Sequence, residues 1–389
     1  MEKAFLKQIN DLYEDQLINH ELNFWLDNGF DKENGGLYTA LDRDGSILDT
    51  DKSVWFQARA LWIYATAYEK YKDERYLELA TSLVKFIEAH CFDSDNRMFF
   101  RVTSDGKPVI KRIRYYFSEA FTIMGYCVYG RVTNNPEYIE KAYQLYLFVE
   151  DLKKSNILVP KMTRKVRDFG GPMILLNVLS ELRKSYPNKS EDINKYIDQL
   201  LLEIKTYFVR DDYQAVIEQC LENGEINKDH FEGRMLNPGH AIEGAWFIMN
   251  EGSSRGDQEL IQLGLKILNW MFEKGWDKEY GGIIQYRDLL NKSLSEYHQD
   301  MKFWWPQCEA AIAQLLAYSL TKDESYLEKF QMVNDYIQNN FVDKEYDEWF
   351  GYLHRDNSLA TPLKGNMYKG PFHIPRMYLK CLEIINNIN

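Results

Sequence analysis

Residues 276–284 read WDKEYGGII, and nearly the same pattern, FDKENGGLY, stands at residues 30–38. A third copy, VDKEYDEWFGY, begins at Val342, and a looser copy begins at Phe92. Turn-forming residues followed by aromatic residues favour a small hairpin at each of these places. Because the copies recur along the chain with no linker between them, they indicate an internal repeat.

The segments between these loops have the periodicity of amphipathic helices, with apolar residues at three- and four-residue spacings. Links after the even-numbered helices are very short, whereas links after the odd-numbered ones run about 17 to 30 residues. The predicted helices span approximately 3–27, 53–72, 75–90, 116–132, 136–153, 171–185, 190–207, 239–252, 256–273, 303–320, 324–340 and 372–388.

This alternation of link lengths predicts an all-α fold, a single (α/α)6 toroid or six-hairpin barrel formed as one domain by residues 1–389. The even-numbered helices form the inner ring and the odd-numbered ones the outer ring. The long loops and their small hairpins then share one face, and a central pocket opens on that face.

Composition excludes several classes of protein. The chain has 389 residues, of which 45% are hydrophobic and 27% charged, as in soluble globular proteins. A net charge of −12 disfavours nucleic acid and anionic membranes as partners. Charge-free stretches such as residues 310–321 are shorter than the ~20 apolar residues of a membrane helix. The charged N-terminal segment has no apolar targeting region, so we expect a cytoplasmic protein.

The 5 cysteines are far apart and never form a Cys-x-x-Cys pair, which argues against a disulfide framework or a zinc site. No dinucleotide, phosphate-loop or zinc-protease motif occurs either. We therefore expect reduced thiols and no metal site.

One polar residue stands near the start of each predicted inner helix, at a nearly constant interval. Side chains at these places would converge at the mouth of the pocket, as binding of a small polar ligand requires. The alternative is that polar residues simply gather at helix N-termini. The six residues are Arg59, Glu119, Asn177, His240, Glu309 and His373.

Four of these residues lie in distinctive motifs: VWFQAR at 54–59, NPGHAIE at 237–243, KFWWPQCE at 302–309 and KGPFHIPR at 369–376. Together with DKEYDEWFGYL at 343–353, the motifs resemble the N-acylglucosamine 2-epimerase family in order and spacing, over essentially the whole chain. The resemblance implies the six-hairpin toroid and epimerisation of a sugar at C2. It also implies that the acid/base pair is His240 and His373 and that Arg59, Glu309 and Arg376 are site residues.

Epimerisation at C2 has definite chemical needs. Removal of the C2 hydrogen, next to the C1 carbonyl, leaves an enediolate, and an acid must return a proton from the opposite face. Histidine suits both roles near neutral pH. Arg59 could bind the C1 oxygen, and Arg376 could assist there or hold a hydroxyl. The five histidines outside the motifs keep a structural interpretation: His20, His90, His230, His298 and His354.

Further residues are candidates for substrate binding. Glu243, like Glu309, could fix a histidine tautomer, and the tryptophans beside the motifs could stack on a sugar ring. For Glu119 and Lys302, interaction with a helix end is the alternative. The predicted binding residues are Glu243, Asn177, Trp55, Trp304, Trp305, Glu119 and Lys302.

The first hypothesis for the reaction is interconversion of N-acetylglucosamine and N-acetylmannosamine. Asn177 supports it, since the resemblance implies histidine there in members acting on unmodified sugars or cellobiose. Gln307 and Pro371 depart from the N-acyl pattern, so epimerisation or isomerisation of free mannose or glucose is the alternative. A glycosidase, which uses two carboxylates, and an interaction protein like a renin-binding relative also stay open.

The chemistry itself should need no metal or nicotinamide, because proton transfer beside a carbonyl requires only bases and a partner for the oxyanion. The expected partner is a small-molecule sugar, with no nucleic acid and no membrane. The resemblance also allows ATP or another nucleotide as an allosteric activator, and a homodimer.

Overall fold

The computed structural model describes residues 2–111, 116–154 and 164–388, and all the predicted helices occur within these ranges. The inner helices are α3 Val54–Tyr71, α5 Phe117–Val132, α7 Gly170–Ser185, α10 Pro238–Arg255, α12 Trp304–Thr321 and α14 His373–Ile388. The outer helices are α4 Glu74–His90, α6 Pro136–Lys154, α8 Ser190–Tyr207, α11 Gln258–Gly275 and α13 Glu324–Asn340.

The first outer helix is divided into three parts. It consists of α1 Glu2–Asp15, a π-helical segment Gln16–Leu22 and α2 Asn23–Asn28, where the sequence predicted one α-helix. Two short elements were not predicted, the 3₁₀ turn Pro187–Lys189 and α9 Phe231–Arg234. Their length gives too little periodicity for sequence analysis to detect them.

The inner helices form a closed ring. Each inner helix contacts the next one in the order α3, α5, α7, α10, α12 and α14, and α14 contacts α3. Inner helices are buried on most sides because each packs between two neighbours and an outer helix; in α12, for example, all residues from Trp304 to Leu315 are buried. Outer helices such as α8 bury one stripe only. The predicted all-α (α/α)6 toroid is therefore confirmed.

Short antiparallel strands lie at one end of the ring. They are β1 Ala40–Leu41, β2 Ile47–Asp49, β3 Lys52–Ser53, β4 Arg101–Val102, β5 Pro108–Ile110, β6 Val166–Asp168, β7 Val209–Arg210, β8 Ala215–Val216, β9 Gln219–Leu221, β10 Met235–Leu236, β11 Arg287–Asp288, β12 Lys302–Phe303, β13 Tyr352–Leu353 and β14 Leu359–Thr361. The four repeated loop motifs each close with a bridge: Phe30 to Leu37, Phe92 to Met98, Trp276 to Ile283 and Val342 to Trp349.

Pairing between strands joins consecutive long loops. β3 pairs with β4, β6 with β9, β10 with β11 and β12 with β13, and Leu41 bridges to Gly365. The long loops thus lie side by side on one face, as predicted. None of the described helices is both long enough and apolar enough to cross a bilayer. That residues 1–389 form one domain stays a prediction.

Candidate active site

A cavity of about 890 Å³ opens at the long-loop end of the ring. Its volume lies in the range of small-molecule sites, and its wall combines the N-terminal ends of inner helices with the long loops. The predicted site residues that line it are Trp55, Arg59, Asn177, His240, Glu243, Trp304, Trp305, His373 and Arg376.

His373, the first residue of α14, is buried against a carboxylate. Its Nδ1 lies 2.8 Å from Oε1 of Glu309 on the neighbouring α12. Glu309 is fully buried behind the cavity wall, where its Oε2 also accepts a hydrogen bond of 2.8 Å from the Trp246 indole N–H. Because the carboxylate accepts the Nδ1 proton of the neutral ring, Nε2 of His373 is left as the atom for proton transfer.

Arg376 is the cation that the two carboxylates around His373 share. Its Nη2 donates to Glu309 Oε1 at 2.7 Å and to Glu243, and lies 3.3 Å from His373 Nδ1. Ligand atoms of Glu243, Glu309 and His373 lie within 4.8 Å of one another, close enough to share a cation. The Arg376 guanidinium is that cation here. The idea that Glu243 fixes a histidine tautomer is therefore wrong, since this carboxylate binds Arg376 instead.

His240 occupies the first turn of α10, which Asn237 caps by accepting the His240 backbone N–H at 3.1 Å. Its Nδ1 lies 2.8 Å from Oε1 of Glu218, in the loop between β8 and β9. Glu218 is not among the residues predicted from the sequence, because a glutamate in a long loop has neither helical periodicity nor a motif. Each of the two histidines thus has a carboxylate at Nδ1.

The two imidazoles have opposite electrostatic surroundings. Burial lowers the pKa of His373 well below its ordinary value, and the positive charges of Arg376 and Arg59 lower it further. Burial also acts to lower the pKa of His240, but the charge and hydrogen bond of Glu218, together with the charges of Glu243 and Asp168, outweigh it, so the pKa lies above the ordinary value. A pair whose pKa values are pushed apart is suited to one acid and one base.

Aromatic rings surround these groups. The Arg59 guanidinium carbon lies 4.0 Å from the ring centre of Phe121 and 4.7 Å from that of Trp55, a cation–π arrangement. The Trp305 ring centre lies 5.1 Å from that of His240 and 5.8 Å from that of His373, so this indole contacts both imidazoles. Residue 239 must be glycine, because a Cβ there would lie 2.4 Å from the Trp305 ring.

Lys302 does not line the cavity, contrary to the prediction. Its side chain is fully buried, and Nζ lies 3.2 Å from Asp277 of a repeated loop motif. Lys52 and Asp31 form the same buried pair at 2.7 Å in an earlier repeat. The ion pair between Lys302 and Asp277 therefore holds a long loop against the start of α12.

Glu119 is also absent from the cavity wall. It is buried, and Oε1 accepts hydrogen bonds from Arg97 Nε at 2.8 Å and from the Met98 backbone at 3.0 Å. Gln57 and Gln307 bind the corresponding backbone positions of their own loops, at Leu37 and Ile283. Lys52–Gln57 and Lys302–Gln307 share the spacing Lys-x-x-x-x-Gln. This repeated spacing was the signal that could have identified these lysines and glutamines as structural.

The remaining candidates lie at the cavity wall. Asn177 is there, with Nδ2 3.7 Å from the Met124 sulfur. His298 and His354, predicted to be structural, also line the mouth of the cavity, and His298 stacks on Phe303 with ring centres 5.6 Å apart.

Comparisons with known proteins agree with this architecture. The family model described as N-acylglucosamine 2-epimerase (GlcNAc 2-epimerase) matches residues 36–371. The chain is 35% identical over 382 residues to the N-acylglucosamine 2-epimerase of Bos taurus, covering 94% of this chain and 88% of the bovine one. Identity to the N-acylglucosamine 2-epimerase of Homo sapiens is 32% over 385 residues, covering 95% and 88%.

A solved structure shares the fold. The cellobiose 2-epimerase from Spirochaeta thermophila superposes with a TM-score of 0.85 at 21% identity, covering 99% of this chain and 98% of that one. The match of the family model over most of the chain, together with the bovine and human relatives, identifies the family. The chain belongs to the N-acylglucosamine 2-epimerase family and is an isomerase, a sugar 2-epimerase.

Proposed function

We propose that the chain interconverts N-acetylglucosamine and N-acetylmannosamine, with His240 and His373 as the acid/base pair. The observation that carries the proposal is the pair of carboxylate-backed imidazoles that line one cavity, both in contact with Trp305. Two-base chemistry needs one proton-transfer group on each face of C2, and the two Nε2 atoms can supply them.

In one direction His373 takes the C2 hydrogen as a proton. The C2–H electron pair moves into the C1–C2 bond, and the C1 oxygen takes the negative charge of the enediolate. His240, as the imidazolium, returns a proton to the opposite face of C2, and the carbonyl re-forms. In the other direction the two histidines exchange roles.

The negative charge on the C1 oxygen needs a positive group nearby. Arg59 is our proposal for this role, because its guanidinium lies at the cavity wall among three aromatic rings, where the low local dielectric strengthens electrostatic interaction. Arg376 is less suited to it, since two carboxylates already bind the guanidinium.

One cavity residue and the similarity to the relatives support an N-acylated substrate, and the residue at 307 does not count against it. Asn177, which replaces the histidine expected for free-sugar enzymes, lines the cavity. Gln307, which departs from the N-acyl pattern, binds the backbone of Ile283 and is fully buried, so its departure concerns loop attachment and carries no information on the substrate. The chain is also more than 30% identical to two proteins named for this substrate class.

The test is product analysis by NMR with chelator-dialysed protein and a panel of N-acetylglucosamine, N-acetylmannosamine, mannose, glucose and cellobiose. We expect interconversion of the two N-acetyl sugars. Turnover of mannose or glucose alone would overturn the N-acyl assignment, and cleavage of cellobiose would indicate a hydrolase. Recovery of activity only on adding a divalent ion would reveal a metal requirement. Activation by ATP, a homodimer and a cytoplasmic location stay predictions.

A further inference from the structure

We infer that Glu218 is a positioning residue whose carboxylate holds His240 in the protonated form in the resting enzyme, so that His240 starts as the proton donor and His373 as the acceptor. The inference rests on the proposed function, because it divides the roles of the two proposed acid/base groups. It concerns a loop residue outside every motif that identifies the family here.

The two histidine–carboxylate pairs are alike in geometry but differ in what else binds the carboxylate. Both carboxylates lie 2.8 Å from a histidine Nδ1. The carboxylate of Glu309 already binds Arg376 at 2.7 Å, a cation that it shares with Glu243, and accepts the Trp246 indole N–H. Among the residues that the structure describes, His240 is the one basic side chain that forms an ion pair with Glu218. The charge of Glu218 is therefore available to stabilise an imidazolium, whereas that of Glu309 is not.

The surroundings of His240 other than Glu218 include both favourable and opposing effects on the imidazolium. Glu243 on α10 and Asp168 at the end of β6 are negative and favour the imidazolium. Burial and a positive charge on His373 oppose it. Glu218 has the largest favourable effect, because it combines charge with a direct hydrogen bond.

The backbone holds Glu218 in place. Its N–H donates to the Met235 carbonyl at 3.3 Å, and its carbonyl accepts from the Phe169 N–H at 2.9 Å. These bonds join the loop to the starts of α7 and β10, beside the helix that carries His240. Replacing the side chain leaves them intact, so the carboxylate can be altered without releasing the loop.

Glu218→Gln keeps an oxygen that can accept the Nδ1 proton but removes the charge. Near neutral pH we expect kcat to fall about 10- to 100-fold, less than the ~10²–10⁴-fold of losing an acid/base group, with KM changed by no more than about twofold. In a plot of kcat/KM against pH, the limb that reports the protonation of His240 should move to lower pH. Glu218→Asp, which keeps the charge on a shorter side chain, should restore the position of that limb.

The direct measurement is NMR titration of the His240 ring in protein labelled with ¹⁵N-histidine, assigned with His240→Asn. Glu222→Gln is the control, since Glu222 lies close in sequence, directly after β9, but is 64% exposed and 3.8 Å from Lys165. The pKa of His240 should fall in Glu218→Gln and stay unchanged in Glu222→Gln. If it is equal in the wild type and folded Glu218→Gln, the inference is wrong. If Glu218→Gln does not fold, Glu218→Ser, which also lacks the charge, takes its place. An unchanged pKa of His240 in Glu218→Ser would then refute the inference.

Failure of the proposed function gives a different result. Wild-type protein that turns over no N-acetyl sugar would contradict the substrate assignment, yet the titration would still decide whether Glu218 sets the protonation of His240.

Discussion

Replacing Arg376 with Met tests whether the guanidinium sets the charge of the His373 side of the site. The long apolar side chain of Met can keep the packing against Phe372, whose ring centre lies 4.6 Å from the Arg376 guanidinium carbon. The substitution leaves Glu243 and Glu309 buried without their cation, with side chains 8% and 0% exposed. Breaking a buried pair in this way costs about 3–5 kcal/mol of the free energy of unfolding.

The same substitution should change the protonation of His373. In the wild type, burial and Arg376 lower the pKa of His373, so the ring is neutral and can accept a proton. Without Arg376, the Glu309 carboxylate at 2.8 Å is free to stabilise the imidazolium, and the pKa should rise. In the proposed mechanism a protonated His373 cannot remove the C2 hydrogen, so activity should fall by about 10²-fold or more at neutral pH and recover in part as the pH is raised.

Three measurements check this reasoning: chemical denaturation, the pH profile of epimerisation and NMR titration of His373. Lys380→Met is the matched control, because Lys380 is on the same helix but pairs at the surface with Glu383, where an ion pair contributes little. An Arg376→Met protein as stable as Lys380→Met, with the His373 pKa unchanged, would show that Arg376 does not control this part of the site.

Three further predictions concern the proton transfers and the loop attachments. His240→Asn or His373→Asn should abolish epimerisation, with a ~10²–10⁴-fold loss in kcat. Each variant should still exchange the C2 hydrogen of one epimer in deuterated water. Epimerisation at near wild-type rates in both variants would contradict the two-histidine mechanism. In the wild type, the His240 side chain is 31% exposed and that of His373 only 9%, so the two imidazoles should exchange protons with solvent at different rates. For a reaction in deuterated water, mass spectrometry of early time points should then find that deuterium enters the unreacted pool of one epimer faster. Equal entry into both pools would argue against this difference. Lys302→Met should lower the denaturation midpoint by removing one of the two cations, Lys302 and Arg355, that pair with the buried Asp277, with KM for the sugar unchanged; a large rise in KM would indicate that Lys302 is a binding residue.

Much of the fold could be predicted because the signals are local and repeated. Helix ends fell within a few residues of the predicted ones, since periodicity and turn residues both mark them, as at α3 and α14. The π-helical segment Gln16–Leu22 was not predictable, because it keeps nearly the same apolar spacing as the helix around it.

The site was predictable only where a motif or a helix start carried it. His240, His373 and Arg59 reach the cavity because inner helices begin there. Glu218 was missed because its position depends on strand pairing between distant loops, β6 with β9, which no local pattern reports. Glu119 and Lys302 were assigned to the site because a position at a helix start does not tell whether a side chain turns to the cavity or to the loop outside it.

The two histidines also illustrate how a repeated scaffold can hold an asymmetric site. Both stand in the first turn of an inner helix, so the toroid gives them similar places and similar Nδ1 partners at 2.8 Å. The partners have different origins, since Glu309 comes from the neighbouring inner helix with Arg376 beside it and Glu218 comes from a long loop. The helices therefore place the imidazoles; burial and Arg376 lower the pKa of His373, and the loop carboxylate acts to raise that of His240. Substitutions in the loop between β8 and β9 should accordingly change the pH dependence of the reaction without moving either histidine.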